Sequence, residues 1–316
     1  MPSSLDRRTF LGASLGTGLT TSLTASTITP ASTAAPTPTV AAAAGNSLKG
    51  DAKFQYRKAC KFGMTRGKTL KDRFQSAKDA GFDGVEMDSP NGLSTAEGIS
   101  AAQGVGIRIP GVVDSVHWQI TLSDPDAAKR EEGRRALETA IRDSHAYGGT
   151  SVLLVPAVCG SVSEEDAWSR SVEEIRKTLP LAADLGIHIL IENVWNRFLY
   201  EHDGPNNQSA EKFAAYLDAI DSPWVGAYFD IGNHQKYGLP AAWIRTLGSR
   251  LVKCDVKDWG VQGGWARIGD GDVDWAAVNH ALSDIGFTGW VSAEVGGGDT
   301  AYLRTVAERV DRVFSL

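Results

Sequence analysis

Four times along this 316-residue chain an amphipathic segment stops at a glycine and an apolar run begins. Lys68 to Ala80 carries Leu70, Phe74 and Ala77 on one helical face, stops at Gly81, and leads into Phe82-Asp83-Gly84-Val85-Glu86. Glu131 to Tyr147 stops at Gly148-Gly149 before Ser151 to Val155, a helix ending near Leu185 stops at Gly186 before Ile187 to Glu192, and Trp275 to Ile285 stops at Gly286 before Trp290 to Glu294. A glycine just past a helix takes the left-handed conformation that frees the chain to turn. The apolar runs are nearly continuous, as suits parallel strands covered on both faces. Further strands at Lys61 to Met64, Ile107 to Val113, Val225 to Asp230 and Leu251 to Asp255 bring the number to eight. This alternation predicts an α/β fold, a single (β/α)8 TIM barrel, over the alternative of a doubly wound open sheet. The open sheet would carry a glycine-rich phosphate loop after its first strand. Gly63-Met64-Thr65-Arg66-Gly67-Lys68-Thr69 has three residues between its glycines where a P-loop has four, so it does not qualify.

The N-terminus follows another grammar. Asp6-Arg7-Arg8-Thr9-Phe10-Leu11 precedes a mild apolar run, Leu11 to Ile28, and then a Pro/Ala/Thr/Ser stretch to about Ala44. The order basic, apolar, small resembles a twin-arginine export signal. Gly, Thr and Ser interrupt the run, which therefore lacks the ~20 strongly apolar residues of a membrane span. We divide the chain into a leader and linker, 1–44, and a domain, 45–316, close to the ~250 residues of one barrel. Such substrates generally cross the membrane already folded, so the expected location is periplasmic or secreted. Three cysteines, Cys60, Cys159 and Cys254, are too few for a disulfide framework and read as small core residues. With 32 Lys+Arg against 38 Asp+Glu, the chain lacks the basic footprint of a nucleic-acid binder.

Active sites of such barrels lie at the C-terminal ends of the strands. The second strand ends at Glu86, and strands five to eight end at Glu192, Asp230, Asp255 and Glu294, spaced 38, 25 and 39 residues apart. One carboxylate at a strand end is as readily a helix cap or a salt bridge. Four on successive strands would converge on one mouth, where their repulsion calls for a cation. All-oxygen ligation suits a hard divalent metal, Mn2+ or Mg2+, with Co2+ or Zn2+ as secondary options.

Ile191 to Phe198, Phe229-Asp230-Ile231-Gly232-Asn233-His234, Ile268 to Trp275 and Gly289 to Glu294 resemble the sugar phosphate isomerase/epimerase family of the xylose isomerase-like barrel superfamily. The resemblance covers about residues 58–312. It implies a metal site of Glu, Asp, His and Glu on strands five to eight. Glu192, Asp230 and Glu294 match. The strand-seven pattern H-x-K-D reads Asp255-Val256-Lys257-Asp258 here, so an aspartate stands where the family has its one nitrogen ligand. Asp258 falls past the inward-facing alternation and is expected to be structural. The resemblance also implies substrate contacts at Asn233 and His234, each also explicable as loop packing, and at Arg267. His117 and Trp118, after the third strand, are further substrate-binding candidates, the indole offering an apolar face to a sugar ring. Lys257 would support the strand-seven carboxylates, and Glu86 would join the floor of the mouth.

Such a site suits proton abstraction beside a carbonyl, with Glu192 and Glu294 as base and conjugate acid. Return of the proton to the opposite face epimerises a sugar, and return to the neighbouring carbon isomerises it. Loss of a β-leaving group from a 3-keto-glycoside is elimination, the lyase alternative. A non-catalytic carbohydrate-binding barrel is a third option. An abasic-site endonuclease fits poorly, with six His and a net charge of −6. The expected partners are a small-molecule sugar or glycoside and the export machinery, with no nucleic acid and no stable membrane anchor; a homo-oligomer is left open.

Overall fold

The computed structural model describes residues 56–315; the leader of residues 1–44 and its boundary lie outside them. Eight parallel strands close into a barrel: β1 (Arg57–Lys61), β2 (Gly84–Ser89), β3 (Val112–Asp114), β4 (Ser151–Leu154), β5 (His188–Glu192), β6 (Val225–Asp230), β7 (Leu251–Val256) and, after a two-stranded hairpin β8 (Asp258–Gly260) and β9 (Gly264–Ala266), β10 (Trp290–Ala293). The last strand pairs with the first, Arg57 opposite Trp290 and Cys60 opposite Ala293, which closes the ring.

The helices begin and end where the local chemistry dictates. The first barrel helix, α1 (Leu70–Ala80), starts with Thr69 and Asp72 capping each other's backbone N–H, and stops at Gly81 with φ of 100°. Helices α2 (Thr95–Val105), α3 (Ala127–Ala146) and α4 (Glu164–Leu185) start on side-chain caps from Ser94, Asp126 and Ser163. α5 (Glu211–Ile220), α6 (Pro240–Leu247), α7 (Trp275–Asp284) and α8 (Thr300–Phe314) complete the ring. Among the described residues no helix is long and apolar enough to cross a membrane.

Side chains alternate across each strand. The outward set, such as Ile189, Ile191, Phe229, Cys254 and Val291, packs with the helices into one large core. Cys60 and Cys254 are buried in it, and Cys159 packs against it. The inward set begins with an apolar plug of Leu153, Leu190 and Tyr228.

The strand boundaries differ from expectation in ways that matter. The first strand ends at Lys61, and Phe62–Met64 form a 3-10 turn. The second runs on to Ser89, so Glu86 lies mid-strand, inside the barrel. The third is short, with Arg108 only bridging Gly84.

Candidate active site

Inward alternation stacks two charged layers above the apolar plug. The lower layer contains Glu86 and the lysines of β1 and β7. Lys61 Nζ lies 2.8 Å from Glu86 Oε2, Lys253 Nζ 2.9 Å from Glu86 Oε1, and the Tyr228 hydroxyl donates to Glu86 Oε2 at 2.6 Å. Lys253 also donates to the Pro110 carbonyl at 3.0 Å. Despite burial, Lys253 and then Lys61 hold the Glu86 carboxyl far below the usual carboxylate range. Glu86 therefore sits beneath the mouth, in its floor, as the counterion of two lysines, and does not line the mouth cavity.

Two residues further along the inward face come the mouth carboxylates. Glu192, Asp230, Asp255 and Glu294 each offer an oxygen, and these oxygens all lie within 4.8 Å of one another. Asp230 and Asp255 are fully buried, and Glu294 stands at the rim. Lys61 reaches up to Asp255 Oδ1 at 2.9 Å, linking the two layers. Lys257 Nζ lies 2.8 Å from Asp230 Oδ2 and also contacts Glu294 Oε2. Asn193 fixes the strand that carries Asp230: its Oδ1 accepts from Asp230 N at 2.7 Å, and its Nδ2 donates to the Asp230 carbonyl at 2.8 Å. Asn233 N donates to Asp230 Oδ1 at 2.7 Å, and Asn233 Nδ2 to Glu192 Oε1 at 3.4 Å.

The field in this cluster is uneven. Burial, then Glu294, pushes Glu192 well above the usual carboxylate range, with Lys257 opposing. Burial likewise raises Asp255, with Lys61 opposing and the neighbouring carboxylates adding to the rise. Asp230 is raised mainly by burial. Glu294 shifts the other way, because Lys257 and Lys61 together outweigh its burial. Neighbouring carboxyls whose pKa values are pushed apart suit an acid and base pair.

The residues fit a divalent cation. Were all five carboxylates of the two layers ionised, the three lysines would leave two negative charges for a cation to offset. Both Asp255 carboxylate oxygens are buried without a hydrogen-bond partner, although Oδ1 has its ion pair with Lys61. The donors are all oxygens, as a hard ion prefers.

Opposite the carboxylates, a cavity of about 610 Å³ opens to solvent, walled by Asp88, Asp114, His117, Trp118 and Trp195. His117 Nδ1 accepts from Val155 N at 3.1 Å, so the ring proton belongs on Nε2. Burial lowers its pKa to about 3, making it a neutral donor in the wall. Trp118 is exposed, edge-on to His117. Asp88 and Asp114 were not anticipated. Asp88 is the inward residue after Glu86 on a strand longer than expected, and Asp114 ends β3.

Other expected contacts are elsewhere. His234 is buried between Trp243, Tyr200 and Tyr237, with Nδ1 2.9 Å from Asn193 Nδ2. It faces away from the mouth cavity and supports Asn193, because the aromatic packing leaves its ring no solvent-facing side. Arg267 is exposed just after the β8–β9 hairpin and does not line the mouth cavity. Asp258 is structural: its carboxylate accepts from Trp259 N, Gly269 N, Val273 N and Trp275 Nε1, latching the loop after the hairpin.

A family model described as a xylose isomerase-like TIM barrel matches residues 74–311. The L-ribulose-5-phosphate 3-epimerase UlaE of Salmonella paratyphi A is 24% identical over 241 residues, 72% of this chain and 82% of that protein. An L-ribulose 3-epimerase structure superposes with a TM-score of 0.68 at 18% identity, over 83% of this chain and 95% of that one. The 3-keto-D-glucoside 4-epimerase YcjR of E. coli gives 0.67 at 16% identity, over 83% and 100%. The IolI protein with a bound zinc atom gives 0.67 at 16%, over 82% and 98%. The homologues thus include sugar epimerases.

Proposed function

The chain belongs to the xylose isomerase-like TIM barrel family, and on that premise we propose that it is a divalent-metal-dependent sugar isomerase or epimerase acting on a keto-sugar. The observation that carries this reading is the convergence of Glu192, Asp230, Asp255 and Glu294 at one mouth, with Glu192 and Glu294 shifted in opposite senses. When bound, a hard divalent metal supplies Lewis acidity that stabilises negative charge on a carbonyl oxygen and its neighbouring hydroxyl. The four carboxylates would hold it, and Mn2+ or Mg2+ suits their oxygens.

Glu294 Oε, kept ionised by Lys257, accepts the proton from the carbon beside the carbonyl. Glu192, its carboxyl pushed up by burial and by Glu294, faces the substrate from the other side as the conjugate acid. Lys257 bridges Asp230 and Glu294, its single positive charge shared between them. His117 Nε2–H donates to substrate oxygen from the wall, and Trp118 offers an apolar face. We also propose export to the periplasm or beyond, on Arg7-Arg8 and the apolar run that follows.

The test is incubation of the Mn2+-loaded protein in D2O with ketoses and 3-keto-glycosides. Deuterium at C3 of a ketose marks an epimerase, C1/C2 transfer an isomerase, and a released aglycone the lyase alternative. Glu192→Gln and Glu294→Gln should each lower turnover by about 10²-fold or more. Sugar binding with no deuterium incorporation would instead indicate a non-catalytic binding barrel.

A further inference from the structure

The mouth does not end at the carboxylates. Lys257, Trp265 and Glu294 line it and also line a second cavity of about 940 Å³, bounded by the β8–β9 hairpin, the loop after β10 and one face of α8. A cavity of ~300–1,000 Å³ holds one drug-sized ligand. The mouth has room for a sugar, and the lateral cavity has room for a further moiety attached to it.

The surface of the lateral cavity suits a carbohydrate. Trp265 is 53% exposed and Tyr302 42% exposed, unusual for large aromatics. Trp195 stacks on Trp265 at 5.0 Å and 22°, fixing the indole as a rigid platform. The Tyr302 ring is backed by the loop after β10, where a Cβ on Gly298 would come within 2.8 Å of it. Arg267 and Arg312 also line the cavity; both feel the charge of Asp270, but neither guanidinium has a hydrogen bond or ion pair with a described residue. Arg309, in contrast, is tied to the Ile268 carbonyl and Asp270, both at 2.8 Å. Aromatic platforms flanked by free planar donors match the alternating apolar faces and hydroxyls of a pyranose.

We infer that the substrate is a two-ring glycoside, its reacting sugar in the mouth and its second ring in the lateral cavity, on Trp265 and Tyr302, with Arg267 and Arg312 donating to its hydroxyls. This rests on the sugar reading of the mouth and names its substrate class. Lys257 and Glu294 stand where the two cavities meet, so the link between the rings passes beside the proposed base.

The experiment is calorimetric titration of the Mn2+-loaded full chain with probe pairs that share a reacting ring. D-fructose is paired with lactulose and with maltulose, and methyl 3-keto-β-D-glucoside with 3-ketocellobiose. In at least one pair the two-ring member should bind about tenfold or more tighter. Ala301→Trp and Thr305→Trp, on exposed cavity-lining positions of α8, should each bring that ratio near one, with thermal denaturation checking the fold. A ratio near one for every pair that binds in the wild type, or a ratio that survives both substitutions, overturns the inference and leaves the mouth reading standing. If no probe of either size binds, the sugar reading fails and the inference falls with it.

Discussion

Replacing Lys61 by methionine would isolate the link between the two charged layers. Lys61 Nζ lies 2.8 Å from Glu86 and 2.9 Å from Asp255, and 4.5 Å above the Tyr228 ring. Without it, Glu86 keeps Lys253 and Tyr228, but Asp255 loses the lysine in contact with it. Removing one partner of a buried pair costs about 3–5 kcal/mol. Asp255 can escape part of that cost by keeping a proton, since burial already raises its pKa against the pull of Lys61. We therefore expect a loss of about 2–4 kcal/mol at pH 8, or roughly 5–15 °C in Tm. The pH dependence has a definite sign. A carboxyl with a raised folded pKa holds a proton that the unfolded chain releases, so stability falls as pH rises from the unfolded value toward the folded one. The deficit of Lys61→Met should thus be smaller at pH 5 than at pH 8. Lys61→Met with Asp255→Asn should recover much of the loss, because the buried charge goes with its counterion. Thermal and urea denaturation at both pH values measure all of this. A loss below about 1 kcal/mol at pH 8, or a double variant no better than the single one, would refute the coupling of the layers.

Three further outcomes follow from the geometry. Mn2+ at a hundred times its Kd should stabilise the wild type by about 2.7 kcal/mol, and Asp255→Asn should lose most of that; an unchanged wild-type Tm across a metal titration would count against the cation site. Burial pushes the Asp114 carboxyl up to about 7, only partly offset by the Val116 N–H at 3.2 Å, so wild-type stability should drop by up to about 4 kcal/mol between pH 4 and pH 8 through this group. Asp114→Asn removes that dependence and should gain on the wild type as pH rises, which urea denaturation at pH 5 and pH 8 would check; a gain on lowering the pH would refute it. A Cβ on Gly297 would collide with the Met64 carbonyl, so Gly297→Ala should cost about 1–3 kcal/mol by overpacking and weaken metal binding through the loop after Glu294, both readable from melting curves with and without Mn2+.

The barrel was legible because its signals are local. A glycine after a helix and an unbroken apolar strand can be read without knowing what packs against them, and strand-end carboxylates follow once the strands are counted. The lower charged layer was not legible, because Lys61, Glu86 and Lys253 are far apart in sequence and each alone looks like a solvated charge. Only closure of the ring brings the first and seventh strands to the same glutamate. The sequence pattern ends the second strand at Glu86, because Met87-Asp88-Ser89 lacks an apolar run, although β2 continues through it. The place of His234 after Asp230 suits a substrate contact or loop packing equally. The 3-10 turn at Asn233–Lys236 carries it under Trp243, and no local pattern announces that rotation.

The hairpin between β7 and β10 has a consequence for how such a site diversifies. It is the one two-stranded excursion from the ring of described strands, and it carries Trp265 and leads directly into Arg267. The carboxylates and Lys257 belong to the ring and its strand ends. Asp258 fastens the hairpin by four hydrogen bonds that engage mostly backbone, so the latch tolerates changes in the side chains it secures. One wall shared by the two cavities and the four clustered carboxylates are thereby carried by separate inheritable parts. A sequence drifting in the hairpin alone can reshape that wall while the carboxylates stay in place.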